Sequence, residues 1–269
     1  MSSVPSDADP RVTVVVPCFN ASETLPQLLE AMERQSLAHE LFIVDNGSTD
    51  GTAALAHGHA TQVIGEKRAG AAWARNAGLA ACRTPYYVTT DADCWPATDA
   101  WLANLVAALD GADESVAAIA GLIEPAPDAD WWSQRPDVTP ARGHESDQVT
   151  YAAGPNGCYR TERLREVGGF PTDVSPDDAA VGTRLREAGY RILPIDNARV
   201  YHRNPRGLMG YFRQMRKVGS YSRAITGAPI ALSDAARIAL GAARRHWRQP
   251  REIAAAVAKS VAYFRGSRA

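Results

Sequence analysis

The stretch Tyr86-Tyr87-Val88-Thr89-Thr90-Asp91-Ala92-Asp93 joins a short β-forming run to two carboxylates spaced two positions apart. In an extended chain, side chains at i and i+2 lie on the same side of the backbone, so both carboxylates can converge on one cation. Hard cations such as Mg²⁺ commonly take one or two carboxylates together with substrate phosphates. Ligands of open α/β sheets bind just beyond the carboxyl ends of the strands. The stretch predicts a strand that ends at a metal–phosphate site, although aspartates are also common in plain turns.

Strands and helices alternate on the N-terminal side of this stretch. The predicted elements are strand 12–17, a helix capped by Ser22 with Leu25, Leu28, Leu29 and Met32 on one face, strand 41–45, helix 53–56, strand 61–65, helix 69–81 and strand 86–90. No hairpin turn separates the first two strands, so a right-handed parallel crossover is expected. The alternation predicts a Rossmann-like nucleotide-binding half.

The pattern loosens towards the C-terminus. The predicted elements there are helix 101–109, strand 116–123, a long irregular segment at 125–148, an irregular strand at 151–160, helices 161–167 and 175–188, extended pieces at 190–195 and 199–202, and helices 208–226, 232–247 and 251–264. Trp131 and Trp132 lie in the irregular segment and are interpreted as core anchors rather than as a sugar-stacking pair.

Charge is unevenly distributed along the 269 residues. The chain has 29 basic and 30 acidic residues, but residues 203–269 hold fourteen Lys or Arg against two acids. This basic end is a candidate for contact with phosphate or anionic lipid, or it is a solvated face that balances an acidic domain.

No apolar run is long enough for a membrane-spanning helix, and the polar N-terminus lacks a secretion signal. The four cysteines show no metal-binding spacing, which favours reduced thiols in a cytoplasmic protein.

Six sequence blocks occur in a specific order. They are Val-Val-Val-Pro-Cys-Phe-Asn, Val-Asp-Asn-Gly-Ser-Thr-Asp-Gly-Thr, Arg-Ala-Gly-Ala-Ala-Trp-Ala-Arg-Asn-Ala-Gly, Thr-Asp-Ala-Asp, Val-Gly-Gly-Phe and Pro-Asp-Asp. From about Val12 to His202 the chain resembles the inverting glycosyltransferases of family 2, which have the GT-A fold. The resemblance implies an α/β, Rossmann-like, mostly parallel sheet flanked by helices, followed by a helical, basic C-terminal region.

The resemblance also implies a layout and a set of site residues. The expected layout is a leader at 1–10, a glycosyltransferase domain at 11–205 with its nucleotide-binding half at 11–95 and its acceptor side at 96–205, and a helical extension at 206–269. The residues expected to bind the donor nucleotide are Pro17, Phe19, Glu23, Asp45, Arg68, Asn76, Asp91 and Ala92. Asp45 among them matches the acid that contacts the nucleotide base.

The remaining matches concern metal and catalysis. Asp93 matches the ligand of a divalent cation, Mn²⁺ or Mg²⁺, with Asp91 close to the ribose and the metal and with His202 completing the site. Asp178 matches the catalytic base. Asp177 stands where the family usually has Glu, so the resemblance leaves open which carboxylate of the pair acts.

The implied reaction moves a sugar from a nucleotide-diphospho-sugar to an acceptor hydroxyl, as in polysaccharide, glycolipid or natural-product assembly. Asp45 favours a UDP-sugar, because it can accept the N3–H of uracil. The acceptor is expected to be a sugar, a lipid-linked molecule or a small molecule. The basic C-terminal helices are candidates for peripheral contact with the inner face of the membrane, and no nucleic-acid partner is expected.

Two alternatives lie outside this class. A sugar-nucleotide nucleotidyltransferase would need a glycine-rich, basic loop after the first strand, where this chain has Pro17-Cys18-Phe19-Asn20. A non-catalytic module that binds nucleotide sugars is disfavoured because Asp45, Asp91, Asp93 and Asp178 are all present.

Overall fold

A computed structural model describes residues 10–134, 148–226 and 250–266 of the chain. The leader up to residue 9, most of the 125–148 segment and the helix predicted at 232–247 lie outside these ranges. The chain divides into two compact units. The first comprises Met1–Glu124, Pro140–Asp173 and Asp177–His202, and the second comprises Pro125–Thr139, Val174–Pro176 and Arg203–Ala269.

The first unit alternates strands and helices much as the sequence predicts. Its elements are β1 (Val12–Cys18), α1 (Leu25–Glu33), β2 (Glu40–Asp45), α2 (Thr52–Ala56), β3 (Gln62–Gly65), α3 (Ala71–Ala81), β4 (Tyr86–Thr89), β5 (Cys94–Pro96), α4 (Trp101–Asp110), β6 (Val116–Pro125), a 3-10 turn (Gly154–Asn156), β7 (Gly157–Arg160), α5 (Thr161–Glu166), α6 (Asp177–Glu187) and β8 (Arg191–His202).

The strands form one eight-stranded sheet in the order β3-β2-β1-β4-β7-β6-β8-β5. The neighbours β3, β2, β1 and β4 pair in parallel, whereas β7 pairs antiparallel with β4 and β6, and β5 pairs antiparallel with β8. The predicted α/β, Rossmann-like architecture is confirmed, with the parallel pairings in the nucleotide-binding half. The carboxyl ends of β1, β2 and β4 therefore meet at one edge of the sheet.

The far edge of the sheet differs from the sequence-based prediction. Residues 191–202 form one strand, β8, rather than two short extended pieces. Cys94–Pro96 forms β5, for which the sequence gives no signal, because three residues are too few to show a periodicity. This strand exists through its pairing with β8, which places Cys94 opposite His202.

The loop that follows β1 is held by the loop that follows β2. The sequence predicts Ser22 as the cap of the first helix, but the N-cap residue of α1 is Thr24. The Ser22 backbone N–H instead donates to Asp50 Oδ2 at 3.0 Å. Asn20, with a φ of 49°, accepts the Thr49 N–H on its side-chain oxygen at 2.9 Å. Short polar side chains such as Asn tolerate this left-handed backbone.

Helix α3 packs on β1 and β2 through a glycine contact. A Cβ atom at Gly78 would lie 2.4 Å from Cγ1 of Val15, which is fully buried in β1. A side chain at this position would therefore push the helix away from the sheet.

Substitution of this glycine tests the contact. Gly78→Ala gains about 1 kcal/mol of helix propensity, but overpacking a tight core site costs about 1–3 kcal/mol. We expect a net fall in the free energy of unfolding, measured by urea titration. Gly78→Ala in a Val15→Ala background is the matched control, because the truncated valine makes room. An equal destabilisation in both backgrounds would contradict the packing account.

The described residues of the second unit include the helices α7 (Gly207–Thr226) and α8 (Pro250–Gly266). Its buried core consists of Tyr211, Met215, Ala255 and Ala262 from the two helices, and the partly buried Trp131 and Trp132 of the 125–134 segment pack against it. The rings of Trp131 and Trp132 stand nearly perpendicular with centroids 4.8 Å apart. Both tryptophans thus pack against the core of this unit while remaining partly exposed. No helix within the described ranges is long and apolar enough to cross a membrane.

Candidate active site

The predicted metal-binding residues come together where β5 pairs with β8. The Nε2 atom of His202 lies 3.4 Å from Oδ2 of Asp93. Together with the Cys94 thiol, these groups place three potential ligand atoms within 4.8 Å of one another. Two residues that are far apart in the sequence thus face one point beyond the end of β4.

The carboxyl group of Asp93 and the thiol of Cys94 differ in the direction of their pKa shifts. Burial would raise the pKa of Asp93, but the hydrogen bond and charge of His202 and the hydrogen bond from Cys94 together outweigh burial and lower the pKa, which favours the carboxylate. Burial and the nearby carboxylates raise the pKa of the Cys94 thiol well above its ordinary value. The thiol therefore keeps its proton and donates to Asp93 Oδ1 at 3.6 Å. At this position Asp93 presents a carboxylate and His202 an imidazole, whereas Cys94 presents a protonated thiol that is bonded to Asp93.

Arg75, on α3, is a site residue that the sequence analysis missed. Its side chain is only 5% exposed. One guanidinium nitrogen donates to Asp91 Oδ1 at 2.7 Å and another donates to Asp177 Oδ2 at 2.7 Å. Burial alone would lower the pKa of Arg75, but the charges of Asp91, Asp177 and Asp178 outweigh it and raise the pKa well above its usual range. The arginine is therefore a permanent cation between three carboxylates.

The rest of Arg75 is also fixed. Its backbone carbonyl accepts the Tyr87 hydroxyl at 3.0 Å, and its guanidinium carbon lies 5.7 Å from the centroid of the Phe170 ring. Tyr87 and Phe170 are themselves buried and pack against each other. The signal for Arg75 in the sequence was its position within the Arg-Asn-Ala-Gly run, beside the predicted Asn76.

Asp177 and Asp178, at the start of α6, have different partners. Asp177 is bonded to Arg75. Asp178 accepts the Gly154 N–H on Oδ2 at 2.9 Å and the Ala179 N–H on Oδ1 at 2.8 Å. Burial raises the pKa of Asp178, although the Arg75 charge and the two N–H groups oppose the rise. The adjacent carboxylates thus differ in kind, since one is paired with a cation and the other is held by backbone amides.

Asp45 lies at the end of β2, beside Cys18 of β1. The Ser48 N–H donates to Asp45 Oδ1 at 3.2 Å. The next residue, Asn46, holds the opposite loop, because its amide nitrogen donates to the Glu66 and Arg68 carbonyls at 2.9 and 2.7 Å. At the end of β2, the loop that carries Asp45 and Asn46 is therefore hydrogen-bonded to the loop that follows β3.

The other residues predicted to bind the donor occupy varied places. Pro17, next to last in β1, is half-buried, whereas Phe19 is 65% exposed and Glu23 is exposed. The Arg68 guanidinium bonds both oxygens of Glu66 and stacks 3.8 Å from the centroid of the Trp73 ring.

Asn76 and Ala92 lie within the structure rather than on its surface loops. Both ends of the Asn76 amide bond the backbone of Phe170, with its nitrogen donating to the carbonyl at 2.7 Å and its oxygen accepting the N–H at 2.8 Å. These bonds hold the chain after α5 against α3. Ala92 is buried between Asp91 and Asp93.

The chain resembles known proteins over most of the first unit. A sequence model described as Glycosyl transferase family 2 matches residues 13–168. An uncharacterised glycosyltransferase of Mycobacterium tuberculosis is 35% identical over 192 residues, which cover 67% of this chain and 84% of the relative.

Two solved structures show the same fold. The mannosyltransferase PcManGT of Pyrobaculum calidifontis, solved with GDP-Man and Mn²⁺, aligns with a TM-score of 0.65 at 24% identity, over 96% of this chain and 70% of that chain. Residues 1–349 of TarS from S. aureus, solved with UDP-GlcNAc, align with a TM-score of 0.60 at 17% identity, over 79% and 66% of the two chains. The family match and the shared GT-A fold lead to one conclusion: this chain belongs to glycosyl transferase family 2 and is a glycosyltransferase.

Proposed function

We propose that the protein transfers a sugar from a nucleotide-diphospho-sugar to an acceptor hydroxyl, with a divalent cation at the donor and inversion at the anomeric carbon. One observation carries the proposal. Arg75 bonds Asp91, on the donor side, and Asp177, next to the expected base, at 2.7 Å each. The chain thereby brings the groups that would bind the leaving group and the group that would take the acceptor proton into one compact site.

The residues at the metal position fit a hard divalent cation. Carboxylate and imidazole ligands bind such ions at about 2.0–2.2 Å, so two ligand atoms 3.4 Å apart can both reach one ion. A protonated thiol is a poor ligand for Mg²⁺ or Mn²⁺, which leaves Asp93 and His202 as the ligands, with Asp91 nearby. When bound, the cation would neutralise the charge that develops on the departing diphosphate.

Asp178 is proposed as the general base. An acceptor hydroxyl is a weak nucleophile at neutral pH, so a carboxylate must take its proton as it attacks. The Asp177 carboxylate is engaged by the Arg75 guanidinium, whereas the raised pKa of Asp178 makes that carboxylate a better proton acceptor than an ordinary aspartate. Inversion follows if Asp178 lies across the sugar from the diphosphate.

Asp45 is proposed to read the nucleotide base. Its carboxylate can accept the N3–H of uracil, but it can equally accept N–H groups of guanine. The two related folds were solved with different nucleotides, GDP-Man in one and UDP-GlcNAc in the other. UDP-sugars are the favoured donors. A comparison of UDP-sugars with GDP-sugars in the same assay tests this preference.

Slow donor hydrolysis tests the function without knowledge of the acceptor. The purified protein is incubated with UDP- and GDP-sugars, with Mn²⁺ or with Mg²⁺, and the released nucleoside diphosphate is counted. We expect release from one donor class, and we expect EDTA or Asp93→Ala to abolish it. Calorimetry with UDP and GDP accompanies the assay. Absence of both release and metal-dependent nucleotide binding would contradict the proposal.

A further inference from the structure

We propose that Arg75 is a positioning residue: it fixes the base-bearing start of α6 against the donor-side Asp91, and it occupies Asp177 so that Asp178 alone is available to the acceptor. This inference rests on the proposed function for its catalytic meaning. The contact on which it depends can be tested without any substrate.

The geometry requires an arginine. Asp91 and Asp177 belong to separate elements, and each receives a different nitrogen of the same guanidinium at 2.7 Å. A third nitrogen, Nε, donates to Thr89 Oγ1 at 3.3 Å. A planar guanidinium presents several donors in a rigid fork, whereas a lysine ammonium is a compact point charge. Arg75 can therefore set the spacing between the two carboxylates as well as neutralise them.

The surroundings hold the fork in place. The Arg75 side chain is almost fully buried, and Asp177 is only 15% exposed, so water competes little for these bonds. Removing one partner of such a buried charge pair is strongly destabilising, because the other partner is left buried and unpaired. Asp177 is therefore bonded to Arg75, whereas the hydrogen bonds to the neighbouring Asp178 carboxylate that the described residues supply come from the backbone N–H groups of Gly154 and Ala179.

Gly154 supplies independent support for this arrangement. A Cβ atom at this position would lie 2.3 Å from an Arg75 guanidinium nitrogen and 2.9 Å from the guanidinium carbon. The same glycine donates its N–H to Asp178. One residue without a side chain thus contacts both the positioning cation and the proposed base. Gly154→Ala would displace the guanidinium while leaving its charge and the backbone N–H in the chain.

The first experiment compares donor turnover in Arg75→Ala, Gly154→Ala and the control Arg83→Ala. Arg83 is an exposed arginine just after α3 that bonds local carbonyls. Misplacement of catalytic groups by about 1 Å can reduce rates about 100-fold. We expect a loss of that order in kcat for the first two variants, with little change in the KM for the donor. Arg83→Ala should match the wild type.

Chemical rescue separates positioning from a general loss of folding. Guanidinium chloride at low, non-denaturing concentration should increase the turnover of Arg75→Ala at least about tenfold, because the ion can enter the space that the side chain has vacated. It should leave Arg83→Ala unchanged. If Arg75→Ala does not fold, the turnover of Gly154→Ala is used to test the inference instead. Wild-type turnover in a folded Arg75→Ala or Gly154→Ala protein would overturn the inference.

A second readout is independent of activity. Thermal unfolding of Arg75→Ala, Asp177→Ala and the double variant forms a double-mutant cycle. We expect the shifts in the unfolding midpoint to be clearly non-additive, whereas additive shifts would overturn the bridge. If the wild-type protein neither releases nucleoside diphosphate from any nucleotide sugar nor binds nucleotide in a metal-dependent way, the proposed function fails. The cycle still decides whether Arg75 is coupled to Asp177.

Discussion

Asp178→Asn should lower sugar transfer about 10²–10⁴-fold, the range in which general-base catalysis commonly contributes. The amide keeps the size of the side chain and can still accept a backbone N–H through its oxygen. It cannot take a proton from the acceptor hydroxyl. The residues proposed to bind the donor do not include Asp178, so calorimetry with the nucleoside diphosphate and Mn²⁺ should give the wild-type affinity. Steady-state transfer to acceptor, or donor hydrolysis where no acceptor is known, gives the rate.

Asp177→Asn is the matched control, because it makes the same chemical change one residue earlier. The new amide oxygen can still accept a hydrogen bond from Arg75, so the loss should be that of one weakened charged hydrogen bond, about tenfold or less. The opposite ranking, with transfer lost in Asp177→Asn and retained in Asp178→Asn, would move the base role to Asp177.

The same assignment predicts a pH dependence. Burial raises the pKa of Asp178 above that of an ordinary aspartate. A base must be unprotonated to act, so kcat/KM should fall as the pH drops through this raised pKa and should stay constant just above it. The acidic limb should therefore begin at a higher pH than a solvent-exposed aspartate would give. A profile that is flat through this acidic range would contradict the role of Asp178.

Asp93→Ala should abolish metal-dependent nucleotide binding. Removing a group that merely orients a metal ligand commonly weakens metal affinity 10–100-fold, so loss of the ligand itself should exceed about 100-fold. Calorimetry with UDP or GDP measures the effect, with and without Mn²⁺. The metal-dependent part of the affinity should disappear. Any weak, metal-independent binding of the nucleotide base near Asp45 should remain.

Two further variants sharpen this test. Cys94→Ala removes a thiol that donates to Asp93 but is proposed not to bind the metal, so its effect should resemble loss of an orienting group. His202→Ala removes a proposed ligand and should weaken Mn²⁺-dependent binding more than Cys94→Ala does. If the Cys94 variant lost more metal affinity than the His202 variant, the proposed ligand set would be wrong.

Local sequence was sufficient for most of the secondary structure. A β-branched run specified β1, a continuous apolar run specified β2, and apolar residues at helical spacing specified α1, because these patterns act within a few consecutive residues. The position of Asp91 and Asp93 just after β4 followed from the same kind of evidence. The family resemblance came from short blocks in a fixed order, each of which is also local.

The tertiary structure alone decided which distant residues meet. The 3.4 Å approach of Asp93 and His202 depends on the register between β5 and β8, and β5 has too few residues to be predicted. The bridge from Arg75 to Asp177 depends on the burial of a charge, and no sequence pattern marks a buried arginine as different from a solvated one. Periodicity therefore determined where the chain forms strands and helices. Sheet register and burial determined which aspartate pairs with Arg75 and which is bonded to backbone N–H groups, because these contacts join residues that are far apart in the chain.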